Sequence, residues 1–82
     1  MIIYCDVKEV QASDDYTLEI SFVDGSRKLF DMKPYLKLKV FRDLQNTVMF
    51  STVHVAFGSI EWANKADFDP EALYDLGLPL KD

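Results

Sequence analysis

The chain has 82 residues, of which 49% are hydrophobic and 28% charged, and its formal net charge is -5. A chain this short buries only about 60 to 65% of its unfolded surface around one core, so we expect a single domain over residues 1–82. The hydrophobic content excludes an intrinsically disordered chain.

Cysteine content and the N-terminal residues indicate the compartment. Cys5 is the only cysteine, which excludes an internal disulfide and a thiolate metal cluster and favours a reducing, cytoplasmic setting. Asp6 interrupts the first apolar run before a signal-peptide core could form. No window approaches the roughly 20 apolar residues of a membrane helix, so we expect no contact with a membrane.

The first predicted strand covers residues 2–10. Its inward-facing residues are Ile3, Cys5 and Val7, and its outward-facing residues are Asp6 and Lys8. Because nothing in the sequence places a base beside it, Cys5 is predicted to be a small core residue and not a nucleophile. Residues 11–15 are polar and predict a turn into the next strand.

Residues 16–32 predict a β-hairpin, the most regular pattern in the chain. Tyr16, Leu18, Ile20 and Phe22 alternate with polar residues, as in a strand with one buried face. Asp24-Gly25 is typical of a two-residue type I′ turn, in which both central residues have positive φ. The return strand places Phe30 and Met32 inward, and with the first strand it gives an antiparallel meander.

Two short helical turns are predicted after the hairpin. Pro34 is suited to the first position of a short helix or 3₁₀ turn. Phe41 and Leu44 are three residues apart, so a second single turn can direct both towards the sheet. Residues 45–47 are predicted to form a loop.

Residues 48–57 predict another strand, with three apolar residues inward and three residues outward. The inward residues are Val53, Val55 and Phe57, and the outward residues are Thr52, His54 and Ala56. Gly58-Ser59 is expected to make the turn, and Ile60 and Trp62 to face the core from the last strand. Residues 64–67 are expected to leave the sheet.

The clearest helix start is Asp69-Pro70-Glu71. Asp69 can accept hydrogen bonds from free backbone N–H groups, Pro70 suits the first helical position, and Glu71 complements the helix dipole. Gly77 is predicted to end the helix in a left-handed conformation. The whole pattern predicts an α+β domain: a small antiparallel sheet of about five strands, covered by one or two short helices.

Basic residues are concentrated between Arg27 and Arg42, whereas both flanking segments are acidic. One interpretation is a solvated surface. The other is contact with a partner of opposite charge, since complementary fields raise encounter rates. The candidate residues for contact with an anion or a partner are Lys33, Lys37, Lys39 and Arg42.

Candidate catalytic groups are few. His54, the only histidine, is expected to face solvent or to bind a neighbour, with no nucleophile placed beside it. Asp67 and Asp69, with Glu61 as a third ligand, resemble a metal site, but a hard cation requires more oxygen ligands than this segment offers. We expect no catalytic residues, metal or cofactor.

The order of these signals resembles the small bacterial domain-of-unknown-function family numbered 2442. The segments that carry the resemblance are 15–25, 30–36, 40–44, Phe50 with Val53, 60–62 and 66–74. The resemblance implies a compact α+β domain that often accompanies a second small protein, in an arrangement like a toxin–antitoxin pair. It implies no catalytic residues.

Three hypotheses follow for the function. The first is a non-enzymatic protein-interaction module, antitoxin-like, whose partner is a second small protein encoded beside it. The second is a nucleic-acid-binding regulator that uses the basic segment 27–42. The third is an enzyme with a carboxylate site near Asp67. Exposed sheet edges would also allow self-association into a homo-oligomer.

Overall fold

A computed structural model describes residues 5–80, which form two antiparallel sheets and four short helical segments. The first sheet has the order β1-β2-β3-β7, and its strands are Val7–Ala12, Thr17–Phe22, Arg27–Asp31 and Leu78–Pro79. The second sheet has the order β4-β5-β6, and its strands are His54–Ala56, Ser59–Glu61 and Asp67–Phe68. The predicted α+β class with antiparallel pairing is confirmed, although the strands form two sheets instead of the single sheet of about five strands that was expected.

The helical segments are short and lie between and after these strands. Two 3₁₀ helices cover Lys33–Tyr35 and Lys39–Gln45, and two α-helices cover Thr47–Phe50 (α1) and Pro70–Leu76 (α2). Within the described residues, none of these helices has the length and apolar character needed to cross a membrane.

The predicted hairpin is present as β2 and β3, but its turn differs from the prediction. Phe22 donates its backbone N–H to the Ser26 carbonyl at 2.9 Å, so the loop has three residues, and among them only Gly25 has a positive φ, 91°. The Asp24 carboxylate accepts hydrogen bonds from the backbone N–H and hydroxyl of Ser26. This local contact favours a negative φ at Asp24, whereas the expected type I′ turn requires a positive φ there.

The first strand begins later and ends later than predicted. β1 runs from Val7 to Ala12, two residues into the segment predicted as a turn, with a bulge between Val7 and Glu9. Cys5 precedes the strand in a turn and is buried, as predicted. The expectation for Ile3 lies outside the described residues.

The two 3₁₀ helices are confirmed, whereas the long strand over residues 48–57 is wrong. Residues Thr47–Phe50 form α1, because the Asn46 side chain accepts the backbone N–H groups of Val48 and Met49 and caps the helix. Only His54–Ala56 remain as strand β4. A capping residue here outweighs the strand propensity of the valines.

The second sheet corrects two further predictions. The β4–β5 turn is Phe57-Gly58, not Gly58-Ser59, and Ala56 pairs with Ser59 across it. Asp67 does not leave the sheet, because it lies in β6 and pairs with Glu61 of β5.

The start of α2 and its end at Gly77 are confirmed, but the predicted conformation of Gly77 is wrong. Asp69 accepts the Glu71 backbone N–H at 3.0 Å. Gly77 is extended (φ -68°, ψ 146°) instead of left-handed. A Cβ at this position would lie 2.7 Å from the Leu73 carbonyl oxygen and 3.0 Å from the Lys28 Cβ, so close packing of α2 against β3 requires a glycine here.

The core lies between the sheets and the helices and is rich in aromatic rings. Trp62 is fully buried, as predicted, and its Nε1–H donates to the Phe50 carbonyl at 3.0 Å. Phe41 packs against Trp62, with ring centroids 6.1 Å apart. Ile60, Phe41 and Leu44 are buried as expected. This core supports the second sheet from beneath and leaves its β4–β5 turn at the surface.

Candidate functional site

The most unusual surface feature is Phe57, at the tip of the β4–β5 hairpin. Its relative exposure is 101%, and Val55 on the same hairpin is 39% exposed. The sequence predicted both side chains to face inward, and this is wrong. We call residues 55–58 the hairpin tip.

The backbone of the hairpin tip is that of a two-residue type I′ turn. Phe57 has a φ of 53° and Gly58 a φ of 78°. This turn prefers asparagine or aspartate followed by glycine, and a phenylalanine in the left-handed region costs roughly 1–2 kcal/mol. Local folding therefore does not account for the phenylalanine at position 57.

Contacts on both sides of the turn hold the hairpin tip in place. The Val7 backbone N–H donates to the Gly58 carbonyl at 2.9 Å, which joins β1 to the turn. A Cβ on Gly58 would lie 2.9 Å from the Asp6 Oδ1, so the Asp6 carboxylate lies directly against the turn. The Ser59 hydroxyl donates to the Phe68 carbonyl. The exposed ring is thus mounted on a fixed backbone.

An open depression of about 340 Å³ lies beside the hairpin tip. It is lined by Ala56, Phe57 and residues 59–61 on one side, and by residues 67–70 on the other. Apolar side chains from the hairpin and carboxylates from β5, β6 and the start of α2 therefore line one surface. We call it the acidic depression.

The carboxylates of the acidic depression differ in their partners. The Glu61 Oε1 lies 3.2 Å from the His54 Nε2, and Asp69 caps α2. Asp67 is exposed, with no ion pair within the described residues. In this part of the chain, no group of three His, Cys, Asp or Glu residues could hold a metal ion.

His54 and Cys5 lie in different environments: the histidine is half exposed and the cysteine is buried. The His54 ring is half exposed, and its Nδ1 lies 3.0 Å from the Thr52 carbonyl oxygen. Burial raises the pKa of the Cys5 thiol, and the carboxylate of Glu71 raises it further, followed by those of Asp6 and Asp69. A thiol in this setting is a poor nucleophile at neutral pH.

The structure places the predicted basic residues on the exposed surface of residues 33–42. Lys33 lies 3.1 Å from the Asp31 carboxylate and donates to the Asp15 carbonyl at 3.3 Å. Lys37, Lys39 and Arg42 are exposed and make no ion pair within residues 5–80.

Arg27 and Lys28, the other two basic residues of segment 27–42, contact side chains outside this segment. The aromatic rings of the segment pack against the core. Arg27 forms an ion pair with Glu19. Lys28 donates to the Tyr74 carbonyl and lies 3.6 Å from the centre of the Tyr74 ring. Phe41 is buried in the core, and the Tyr35 ring stacks on Phe30 with centroids 5.6 Å apart.

A family model described as Protein of unknown function (DUF2442) matches residues 7–78. The chain belongs to this family. No curated protein and no solved structure matches the chain. The matched residues of this DUF2442 chain include the hairpin tip, the acidic depression and every strand of both sheets apart from Pro79 of β7.

Sequence reasoning missed the hairpin tip of this DUF2442 protein, although a signal was present. Phe57-Gly58 has glycine at the second position of a type I′ turn, and the flanking apolar runs are too short for the single strand that was assumed. Asp24-Gly25 matches the residue preference of such a turn more closely. Its aspartate side chain, however, accepts a hydrogen bond from the Ser26 backbone N–H, and the turn there is of another type.

Proposed function

We propose that this DUF2442 chain is a non-enzymatic protein-interaction module, the antitoxin-like partner of a second small protein, which docks on the hairpin tip. The observation that carries the proposal is the complete exposure of Phe57 on a backbone that disfavours it. Residues kept against their local conformational preference are concentrated at functional sites.

The energy available from Phe57 is large for one side chain. Burying a phenylalanine against a partner contributes about 1.5–3 kcal/mol, and aromatic residues are enriched in the buried centres of interfaces. Because the turn is fixed by Val7 and Ser59, little backbone entropy is lost on docking. One ring can therefore supply a substantial part of a micromolar affinity.

The placement of the candidate catalytic groups supports a non-enzymatic role. His54 contacts a backbone carbonyl and a carboxylate, neither of which is a nucleophile that a histidine base would activate. Cys5 is buried with its pKa raised. The proposed activity therefore depends on the shape of the surface at the hairpin tip.

Co-purification with the product of the adjacent reading frame tests the proposal. The tagged 82-residue chain is co-expressed with that product, and the complex is quantified by size-exclusion chromatography at micromolar concentration. We expect a complex with the wild type and a loss of affinity of at least about tenfold in Phe57→Asn, equivalent to 1.4 kcal/mol.

Val48→Asn is the matched control, because Val48 is an exposed apolar residue (74%) outside the acidic depression. We expect this variant to bind like the wild type. An absent wild-type complex, or equal binding by Phe57→Asn, would contradict the proposal.

The second candidate function is a nucleic-acid-binding regulator that uses segment 27–42. The exposure of Lys37, Lys39 and Arg42 favours it, since each can reach a phosphate. The aromatic rings of this segment pack inward and leave none for base stacking. Any such contact is therefore with the backbone of the nucleic acid and independent of sequence.

A further inference from the structure

We propose that the segment docking on Phe57 is basic: a stretch of the partner protein that carries arginine or lysine next to an apolar side chain. This inference rests on the proposed function and assigns the chemistry of the partner. It is carried by the juxtaposition of an exposed aromatic ring and the carboxylates that line the same depression.

The carboxylates of Glu61, Asp67 and Asp69 line the same depression as the Phe57 ring. Glu61 on β5 pairs with Asp67 on β6, so these two residues are neighbours across the sheet. Asp69 follows β6 directly at the start of α2. No lysine or arginine is among the described residues that line the depression.

A second pair of carboxylates extends this negative field around the base of the hairpin tip. Asp6 lies against Gly58, and Glu71 lies in the first turn of α2. Burial raises the pKa of the Cys5 thiol, and the carboxylates of Glu71, Asp6 and Asp69 raise it further, as expected for three negative charges that lie near one buried group. A cationic partner would reduce the repulsion among these groups, whereas an anionic one would increase it.

The ring and the carboxylates together recognise an arginine or lysine better than either does alone. A cation above the face of a phenylalanine is attracted by the negative face of the ring. The guanidinium of arginine can also bind a carboxylate in a bidentate manner. The apolar part of the partner would cover Ala56 and the ring edge, which line the same depression.

A bare metal ion does not fit this surface. The carboxylates come from two strands and a helix start, and one oxygen of Asp69 is used by the Glu71 N–H. Within residues 5–80, no three potential ligands converge. The extended open shape of the depression is suited to a peptide segment.

Fluorescence polarisation with three labelled peptides tests the inference. The probes are a short peptide of alternating arginine and leucine, and two counterparts with glutamine or glutamate at each arginine position. We expect the arginine peptide to bind at least about tenfold tighter than the other two, and its affinity to fall as salt is raised.

Two double variants with the same change in net charge locate the contact. Glu61→Gln with Asp67→Asn removes two carboxylates of the depression, and we expect a loss of about fivefold or more in affinity for the arginine peptide. Glu9→Gln with Asp14→Asn removes two exposed carboxylates elsewhere, and we expect nearly unchanged binding.

The outcomes separate this inference from the proposed function. Equal binding of all three peptides, or equal losses in the two double variants, would overturn the basic partner. If the basic partner were overturned but the complex with the adjacent gene product still depended on Phe57, the proposed interaction module would be supported, with a docking segment that is not basic. If Phe57→Asn left that complex unchanged, the proposed function itself would fail.

Discussion

The Tyr74 hydroxyl on α2 donates a hydrogen bond to the Asp24 Oδ2 in the β2–β3 turn at 2.5 Å, across 50 positions of the chain. The same ring packs edge-to-face on Phe22, with centroids 5.0 Å apart. α2 is therefore tied to the turn of the hairpin as well as to its buried face.

This bond makes the ionisation of Asp24 a probe of α2 docking. Hydrogen bonds from the Ser26 hydroxyl and from the Tyr74 hydroxyl lower the pKa of Asp24 from 3.8 to about 2. A lowered pKa in the folded state stabilises the fold above the unfolded value of 3.8, and this contribution is lost as the pH falls towards 2.

Tyr74→Phe is expected to raise the pKa of Asp24 towards 3.8, measured by NMR titration of its carboxyl carbon. Its stability deficit relative to the wild type should shrink as the pH is lowered through the same range. Tyr35→Phe is the control, because the Tyr35 ring packs on Phe30 and Phe68, away from this turn. An unchanged Asp24 pKa in Tyr74→Phe would show that the bond is not formed in solution.

The same substitution should destabilise the fold to different extents at two glycine positions. Gly77→Asn places a Cβ against the Leu73 carbonyl and Lys28, and we expect a loss of about 1–3 kcal/mol in the free energy of unfolding. Gly25→Asn has open space around it, and asparagine tolerates a positive φ, so the loss should stay below about 1 kcal/mol. Urea denaturation measures both, and equal losses would refute the packing role of Gly77.

Two neighbouring aspartates should likewise differ. Asp69→Ala removes the cap of α2 and should cost about 1 kcal/mol, whereas Asp67→Asn, at an exposed carboxylate, should stay within about 0.5 kcal/mol. Thermal unfolding of both variants measures the difference. If the chain were an enzyme with a carboxylate site near Asp67, Asp67→Asn would instead abolish its activity while leaving stability unchanged.

Charge reversal in the basic segment separates the two candidate functions. Lys37→Glu with Lys39→Glu changes two exposed residues outside the acidic depression. The interaction module predicts unchanged binding of the partner protein by this variant. A nucleic-acid-binding regulator predicts salt-sensitive binding of a DNA or RNA oligonucleotide that the variant loses, measured by electrophoretic mobility shift.

Much of the fold could be predicted because local signals and burial agreed. Alternation in β2 and β3, Pro34 and the Asp69 cap each pointed to one structure, and each is confirmed. The strand predicted over residues 48–57 is wrong because apolar residues alone do not distinguish a strand from a capped helix. The Asn46 side chain caps α1, and the first part of this segment is therefore helical.

The candidate site could be predicted only in part. The acidic residues were visible in the sequence, which grouped Asp67 with Glu61 only as candidate metal ligands, and because β6 was missed it did not predict that the two residues pair across neighbouring strands. Phe57 was assigned to the core because it continues the alternation of Val53 and Val55 with outward-facing residues in the strand predicted over residues 48–57. Its exposure depends on a turn whose two residues both have positive φ. Phenylalanine has no preference for the first position of such a turn, so the residue type at position 57 did not indicate it.

The conformational cost at position 57 can be measured without a partner. Phe57→Asn replaces a residue that disfavours the left-handed region with one that tolerates it, and we expect it to raise the free energy of unfolding by about 1 kcal/mol. Urea denaturation of the isolated chain measures the change. A lower stability in this variant would mean that the ring contributes to the fold and is not reserved for a partner.

The docking site is tested most directly by ¹⁵N–¹H NMR of the labelled chain during addition of the adjacent gene product. We expect chemical-shift changes concentrated at residues 55–61 and 67–70, which form the hairpin tip and the acidic depression. Changes confined to residues 33–42, or none at saturating concentration, would contradict docking on Phe57.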